Sequence, residues 1–432
     1  MRFLASDVAA ATGGAMSGPD MELDGVSFDS RSIVPGQLFV AIVAERDGHD
    51  FVPAAEGAGA GASLVQREAG SGTSIVVADT AEALLRLGAW GRDRVVGTVI
   101  GVTGSVGKTS TKDFARAALS AGLRTAANER SFNNEQGLPV TILNAPDDTE
   151  ALVLEMGMRG FGEIARLCEI GRPTVGIVTR VAAAHTEWVG GIEGVARAKG
   201  ELIQSLPAHG TAILNADDPY VAPMAALCDG SVVMFGTDRF AGVRVTDLRL
   251  DAMARPRFTL ATPWGTAEVA LSVSGEHMAS NAAAAIAAAA VCGVDLDAAA
   301  AAVGAATMSP WRMEIGRTTS GAILINDAYN ANPASMRAAI ETLAKVNVRG
   351  RRVAVLGLMA ELADPPADHA AIAALLRDHD VELIAVGTDL YGVTPADDPV
   401  AALGALVDDD AVLVKGSRVA GLERVAALLG AS

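Results

Sequence analysis

The run Thr103-Gly104-Ser105-Val106-Gly107-Lys108-Thr109 constrains this chain more than any other stretch of it. It follows a short apolar run at 98–102 and precedes a segment of helical pattern at 108–121, so it is a strand-to-helix turn. Small residues there let successive backbone N–H groups curl around phosphate oxygens. The helix start adds a favourable dipole, Lys108 a positive charge, and the Thr109 hydroxyl a ligand for magnesium. Val102 stands where the first glycine of the full phosphate-loop pattern would be, so the match is to a variant of that loop. ATP binding is the expectation, with Gly104, Ser105, Gly107, Lys108, Thr109 and Ser110 around the nucleotide. An ordinary glycine-rich turn would leave the Gly-Lys-Thr ending unexplained.

A chain of 432 residues is longer than one hydrophobic core usually organises. Residues 1–95 read as a small α/β unit, with apolar runs at 38–42 and 74–77 and an alanine-rich helical piece near Ala54. Residues 96–308 alternate strands (98–102, 151–154, 175–178, 212–214) with helices, which implies a mainly parallel sheet. An alanine-rich helix over 279–291 and a second helical piece lead to Met308-Ser309-Pro310, where proline marks a boundary. Residues 309–432 alternate again, with strands at 322–325, 353–356, 383–386 and 412–414 and helices starting near Pro333, Asp368 and Val419. That is a separate doubly wound, Rossmann-like unit, and the fold class is α/β in three domains.

Half the residues are apolar and a fifth charged, the make-up of a globular enzyme. With 34 Lys and Arg against 51 Asp and Glu, the net charge of −17 argues against a broad nucleic-acid or anionic-membrane surface. Anionic ligands must then be met by local cations. Cys168, Cys228 and Cys292 form neither a disulfide framework nor a zinc pattern, which points to the reducing cytoplasm. Neither a signal peptide nor a membrane span is expected.

Three further residues attract attention by position. Glu155 ends the apolar strand Leu152-Val153-Leu154 before a glycine, where a carboxylate reaches a sheet edge. His185 follows the 175–178 strand through an alanine run. Taken alone it is more often a structural or surface histidine than a metal ligand. Lys199, late in an amphipathic stretch, reads by itself as a surface lysine.

Together and in this order, these motifs resemble the Mur ligase family over nearly the whole chain. Ser27-Phe28-Asp29-Ser30-Arg31, residues 36–42 and residues 47–51 are similar to its uridine-nucleotide-binding region, which implies Ser30 and Arg31 near UDP. Without the resemblance, Asp29-Ser30-Arg31 is a polar turn. Asn133-Asn134-Glu135-Gln136-Gly137, Glu155-Met156-Gly157 and Ala198-Lys199-Gly200-Glu201 resemble central motifs of the family. They imply substrate contact at Asn134 and magnesium held by Thr109, Glu155, His185 and a carbamylated Lys199. The same likeness makes Lys108, Lys199 and His185 the catalytic group. Residues 275–281 place His277 and Asn281 at the adenine end of ATP by the same resemblance, where the bland reading is a helix start.

Arg312 and the stretch Asn326-Asp327-Ala328-Tyr329-Asn330-Ala331-Asn332-Pro333-Ala334-Ser335 favour the branch that uses a D-alanyl-D-alanine dipeptide. The resemblance puts Arg312 and Asp327 on ATP, and Asn330, Asn332 and Ser335 on the incoming amine. An Asn- and Pro-rich strand-to-helix loop is the alternative. Residues 356–362 and 414–418 also resemble family segments. The implied reaction phosphorylates the carboxylate of a UDP-linked muramoyl tripeptide with ATP and magnesium, and then forms the amide. The partners are small molecules and a monomer is expected. Two departures stand out: Leu358, where the family usually has aspartate, and Arg180, where asparagine is common. Another amino-acid ligase of the family, a nucleotide-binding relative without activity, and a plain P-loop ATPase or kinase are the rival readings.

Overall fold

The protein is seen in a computed structural model that describes residues 1–128, 132–182 and 189–430. Strands flanked by helices on both faces are buried throughout, so they read as unbroken Val, Ile and Leu runs. Three such strands build the centre of the largest sheet. Thr98–Thr103 lies between Ala151–Glu155 and Val175–Val178, parallel to both. Register pairs Glu155 with Val102 and Val178 with Thr103, so the three strands end together at one edge. That edge, at the carboxyl ends of parallel strands, is where open α/β sheets bind ligands.

Alternate residues of these strands face opposite sides. Ile100, Val102, Val153 and Ile177 pack with helices Lys108–Ser120 and Met278–Val291. Val99, Leu152, Leu154 and Val178 pack with Gly137–Leu143, Glu163–Gly171 and Ile192–Gln204. Residues 282–289 of the alanine-rich helix are fully buried, because side chains this small let a helix sit inside the molecule on every face.

Thr125–Ala127 forms one edge of this sheet of nine strands, and Thr211–Asn215 and Ser231–Gly236 extend it in parallel on the other side. Beyond them Val243–Leu250, Pro256–Thr262 and Gly265–Ala270 add an antiparallel ribbon. The sequence reading did not foresee the ribbon. Its strands alternate buried and exposed residues, so they lack the apolar runs that reveal the parallel strands.

The N-terminal region holds a five-stranded sheet in the order Ala15–Ser17, Ser74–Val76, Ala62–Val65, Leu38–Val40, Val26–Ser27. Helix Thr80–Arg94, capped by Asp79, packs on Ala5–Thr12 of this region and more extensively on Gly137–Leu143 and Glu163–Gly171 of the next.

The C-terminal sheet runs Glu314–Arg317, Ile323–Asp327, Ala411–Lys415, Arg352–Leu356, Glu382–Ala385, parallel except at its first pair. Helix Pro333–Lys345 begins where the sequence places it. Pro365–Asp378 starts before Asp368, since Asp364 caps it and two prolines occupy its first turn. Near Val419 there is only the 3₁₀ turn Arg418–Ala420. Gly421, at φ +64°, separates it from helix Glu423–Leu429. Among the described residues no helix is long and apolar enough to cross a membrane.

The seam between the first two sheets is tight enough to test. A methyl group on Gly88 would lie 2.6 Å from Cβ of Pro139, whereas one on Gly57 would meet nothing within 4 Å. Gly88→Ala should therefore destabilise by about 1–3 kcal/mol, read as a lower thermal midpoint, with Gly57→Ala close to the parent protein.

Candidate active site

The turn after Thr98–Thr103 takes the shape that phosphate binding requires. Gly104 has φ +150° and Gly107 φ +84°, backbone states that side chains rarely adopt. Space is also lacking there. A Cβ on Gly104 would meet Thr179 Oγ1 at 1.9 Å, and one on Gly107 would meet Asn281 Oδ1 at 2.7 Å. The loop is braced from the neighbouring strand end: Ser105 N–H donates to the Arg180 carbonyl at 2.7 Å, and Thr179 Oγ1 donates to the Val106 carbonyl at 2.6 Å. Lys108 Nζ donates back to the Gly104 carbonyl at 2.7 Å.

Glu155 arrives from the adjacent strand. Its Oε2 accepts from Thr109 Oγ1 and its Oε1 from Asn133 Nδ2, both at 2.8 Å, and it is 1% exposed. Thr109 and Glu155 thus present a hydroxyl and a carboxylate side by side. Hard oxygen donors of this kind, leaving room for water and phosphate, fit magnesium. Among the described residues no group of three His, Cys, Asp or Glu gathers for a metal, and His185 falls outside those residues.

Positive charge gathers at this edge. Lys199, on Ile192–Gln204, is 2% exposed, and burial together with the nearby Lys108 charge pushes its ammonium well below the ordinary lysine range. Burial also lowers Lys108; Glu155 opposes that shift and Arg312 adds to it. A bound polyanion would favour the charged forms of Lys108 and Lys199 together.

A cleft of about 1250 Å³ surrounds this centre, and the C-terminal region supplies its opposite wall. Gly104, Ser105, Gly107, Lys108, Thr109, Ser110, Asn134, Glu155, Lys199, His277 and Asn281 line one side, with Arg312, Asp327, Asn330, Asn332 and Ser335 on the other. Asp327 Oδ2 receives Lys415 Nζ at 2.5 Å, and its Oδ1 accepts from Met313 N–H at 3.1 Å. Arg312 lies over the Tyr329 ring at 4.1 Å. Asn332 and Ser335 form a reciprocal capping box at the start of Pro333–Lys345, so both have a local role as well as a place in the cleft. Asn134 likewise caps its own turn, accepting from Gly137 N–H at 2.9 Å.

Ser30 and Arg31 are not in this lining. Arg31 is held by Asp29 through Nε at 2.9 Å and Nη2 at 2.7 Å, on the surface of the N-terminal region. Leu358 is also outside it, whereas Arg180 lines the cleft with its guanidinium 3.8 Å from Asp218. Sequence reasoning gave no role to Asn133, which orients Glu155, or to Lys415, which holds Asp327. Lys415 carried a usable signal, a charge ending a buried strand as Glu155 does.

The description of the Mur ligase middle domain matches residues 102–289, and that of the Mur ligase glutamate ligase domain matches 311–418. The UDP-N-acetylmuramoyl-tripeptide--D-alanyl-D-alanine ligase of Mycobacterium bovis is 42% identical over 395 residues, covering 84% of this chain and 77% of the relative. The chain belongs to the Mur ligase family. The Escherichia coli ligase of the same name is 35% identical over 430 residues, 95% of each chain. MurF from Acinetobacter baumannii superposes on this Mur ligase with a TM-score of 0.87 at 29% identity, over 99% of both chains. MurF ligase from Thermotoga maritima in complex with ADP gives 0.78 at 26% identity, over 94% of this chain and 96% of the other.

Gly104→Ala should abolish measurable ATP binding in calorimetry while the far-ultraviolet circular dichroism stays that of the parent, since the clash falls between the loop and Thr179 at the neighbouring strand end. A second expectation concerns pH. Burial pushes His277 down to about 4, with Asp327 opposing the shift. Between the ordinary histidine value of 6.5 and about 4, the unfolded chain binds a proton that the folded chain does not. Stability therefore falls as pH drops through that window, and His277→Asn should flatten this part of the thermal-midpoint profile.

Proposed function

We propose that this Mur ligase joins D-alanyl-D-alanine to UDP-N-acetylmuramoyl-tripeptide, yielding ADP, phosphate and the UDP-muramoyl pentapeptide of peptidoglycan synthesis. One observation carries the reading: the phosphate loop of one sheet faces Arg312, Asp327 and Asn330 of another across a single cleft, in a chain that aligns end to end with ligases of that name.

Hydroxide is a poor leaving group, so an amide cannot form directly from a carboxylate in water. A carboxylate oxygen of the tripeptide attacks the γ-phosphorus of ATP, the bond to the β-phosphate oxygen breaks, and ADP leaves an acyl phosphate. The neutral amine of the dipeptide then attacks the acyl carbon, loses a proton, and the tetrahedral intermediate expels phosphate. Positioning and charge stabilisation dominate such chemistry.

In this reading Gly104, Ser105, Gly107 and Ser110 cradle the phosphates, and Lys108 spreads their charge. His277 and Asn281 lie towards adenine, Arg312 and Asp327 reach ATP from the C-terminal side, and Ser30 and Arg31 meet the uridine end. Asn134, Asn330, Asn332 and Ser335 contact the peptide substrates. Residues 1–95, 96–308 and 309–432 serve as the UDP, ATP and amine units of a monomer working in the cytoplasm. Thr109, Glu155, His185 and a carbamylated Lys199 would hold magnesium, which when bound neutralises phosphate charge as a Lewis acid. The depressed basicity of Lys199 supports carbamylation, because only the neutral amine reacts with carbon dioxide.

The test is phosphate release with ATP, magnesium, UDP-muramoyl tripeptide and D-alanyl-D-alanine, each omitted in turn, with the product weighed by mass spectrometry. Release should require both peptide substrates and fall at least about a hundredfold in Lys108→Ala. Release without the dipeptide would indicate a plain ATPase instead. For Lys199, ¹³C-labelled bicarbonate should give a carbamate carbon resonance that is lost in Lys199→Arg; no such signal in the active protein would rule the modification out.

A further inference from the structure

One buried charged cluster takes no part in the chemistry above. Lys112 and Asp113 lie one turn beyond Lys108 on helix Lys108–Ser120, their side chains 2% and 5% exposed and paired at 2.9 Å. Asp113 reaches across 196 positions of sequence: its Oδ2 accepts from Ser309 N–H at 2.7 Å and its Oδ1 from Ser309 Oγ at 3.1 Å. Lys112 Nζ donates to the Asn128 carbonyl at 2.9 Å, and Asn128 Oδ1 accepts from Glu155 N–H at 3.0 Å. The chain at Ser309 is thus fastened to the same framework that carries Lys108, Thr109 and Glu155.

Two residues later the chain is gripped from the other side. The Trp311 carbonyl accepts from Tyr329 N–H at 3.2 Å, Met313 N–H donates to Asp327, and Arg418 lies over the Trp311 ring at 4.5 Å. Between the grips stands Pro310. Trp311 has φ +61° and Met313 φ +50°, left-handed states that are costly for side chains of this size. Arg312 sits between them and, with Asp327, lines the cleft opposite the phosphate loop.

We propose that Lys112 and Asp113 are positioning residues that clamp Ser309 to the phosphate-loop helix, so that the C-terminal region turns on the ATP site about residues 310–313. A rotation there carries Arg312 and Asp327 towards or away from the nucleotide, and the clamp fixes where that rotation begins. Stability alone is a weak reason for such a pair, because a buried ion pair is often matched by apolar side chains of similar volume. Direction is what the pair adds: three polar contacts converge on one serine, two from Asp113 and one from Lys112 Nζ to Ser309 Oγ at 3.4 Å. The inference deepens the ligase reading and rests on it in one respect, that ATP occupies the phosphate loop.

The experiment uses the full chain carrying Lys112→Met with Asp113→Leu, which removes both charges at similar volume, and separately Ser309→Ala. Spin labels at Asp229→Cys and Asp408→Cys, with the three native cysteines replaced by alanine, report the distance between the regions in β,γ-imido-ATP and magnesium. The distance distribution should broaden in the double variant and, less, in Ser309→Ala. The value of kcat for ligation should fall about tenfold, with KM for ATP changed less than about threefold. A folded double variant with the parent's distribution, or one that loses kcat without broadening, overturns the proposal. Should the double variant not fold, an unbroadened Ser309→Ala does so. The distance readout needs no ligation, so failure of the clamp and failure of the ligase reading are told apart.

Discussion

The hydrogen bond from Thr109 to Glu155 is the contact on which the rest of the site depends. It joins the first turn of a helix to the last residue of a neighbouring strand, and it exists because two parallel strands end in register. Parallel pairing sets that register, and the buried Val, Ile and Leu runs set the pairing. Asn133 then occupies the other oxygen of Glu155, so the carboxylate has one orientation. Lys108 and Lys199 lie near it, and burial lowers the basicity of both. A protein of net charge −17 attracts ATP poorly as a whole. It does so here because the sheet edge concentrates cations where water is scarce.

The C-terminal sheet repeats the device with a different outcome. Ile323–Asp327 and Ala411–Lys415 are also parallel neighbours ending in register, and they deliver Asp327 and Lys415 side by side. These charges satisfy each other, with Lys415 also donating to the Asn330 carbonyl at 2.8 Å. One edge gathers Lys108 and Lys199, whereas at the other Asp327 and Lys415 pair with each other. The rim is tied as well: Lys345 pairs with Glu276 across the two regions, beside His277.

What could be read from sequence follows the same physics. Strands buried on both faces announce themselves as apolar runs, so four central strands and the C-terminal parallel strands were legible, and so was the turn at Gly104 to Thr109; the outer parallel strands Thr125–Ala127 and Ser231–Gly236, less buried, were not. The antiparallel ribbon at 243–270 was not, because one-sided burial alternates polar with apolar residues and resembles a loop at short range. Helix Thr80–Arg94 blurs the boundary drawn at residue 95, since its two faces belong to different sheets. Asn332 and Ser335 show the limit of motif reading: their spelling marks a capping box whether or not a ligand is bound. Lys112 and Asp113 were invisible, for their partner Ser309 lies 196 positions away and nothing local marks the pairing.

Leu358 and Arg180, singled out by the sequence resemblance, differ in their structural surroundings. Leu358 follows strand Arg352–Leu356 in a loop whose backbone is held without it. Met359 N–H donates to His369 Nε2 at 3.0 Å, Ala360 N–H to Ser417 Oγ at 2.9 Å, and Tyr391 Oη–H to the Gly357 carbonyl at 2.8 Å. Burial lowers the basicity of His369, which keeps Nε2 an acceptor while Nδ1 faces the Pro365 carbonyl at 2.6 Å. The loop's path is thus held by its neighbours, and the Leu358 carbonyl adds one more bond, accepting from Ser417 N–H. Arg180 is different in kind. Its carbonyl braces Ser105 within the phosphate loop, and its guanidinium reaches the cleft beside Asp218. The brace needs only a backbone, so it survives any residue at that position; the added positive charge does not, and it falls on the wall where nucleotide charge is met.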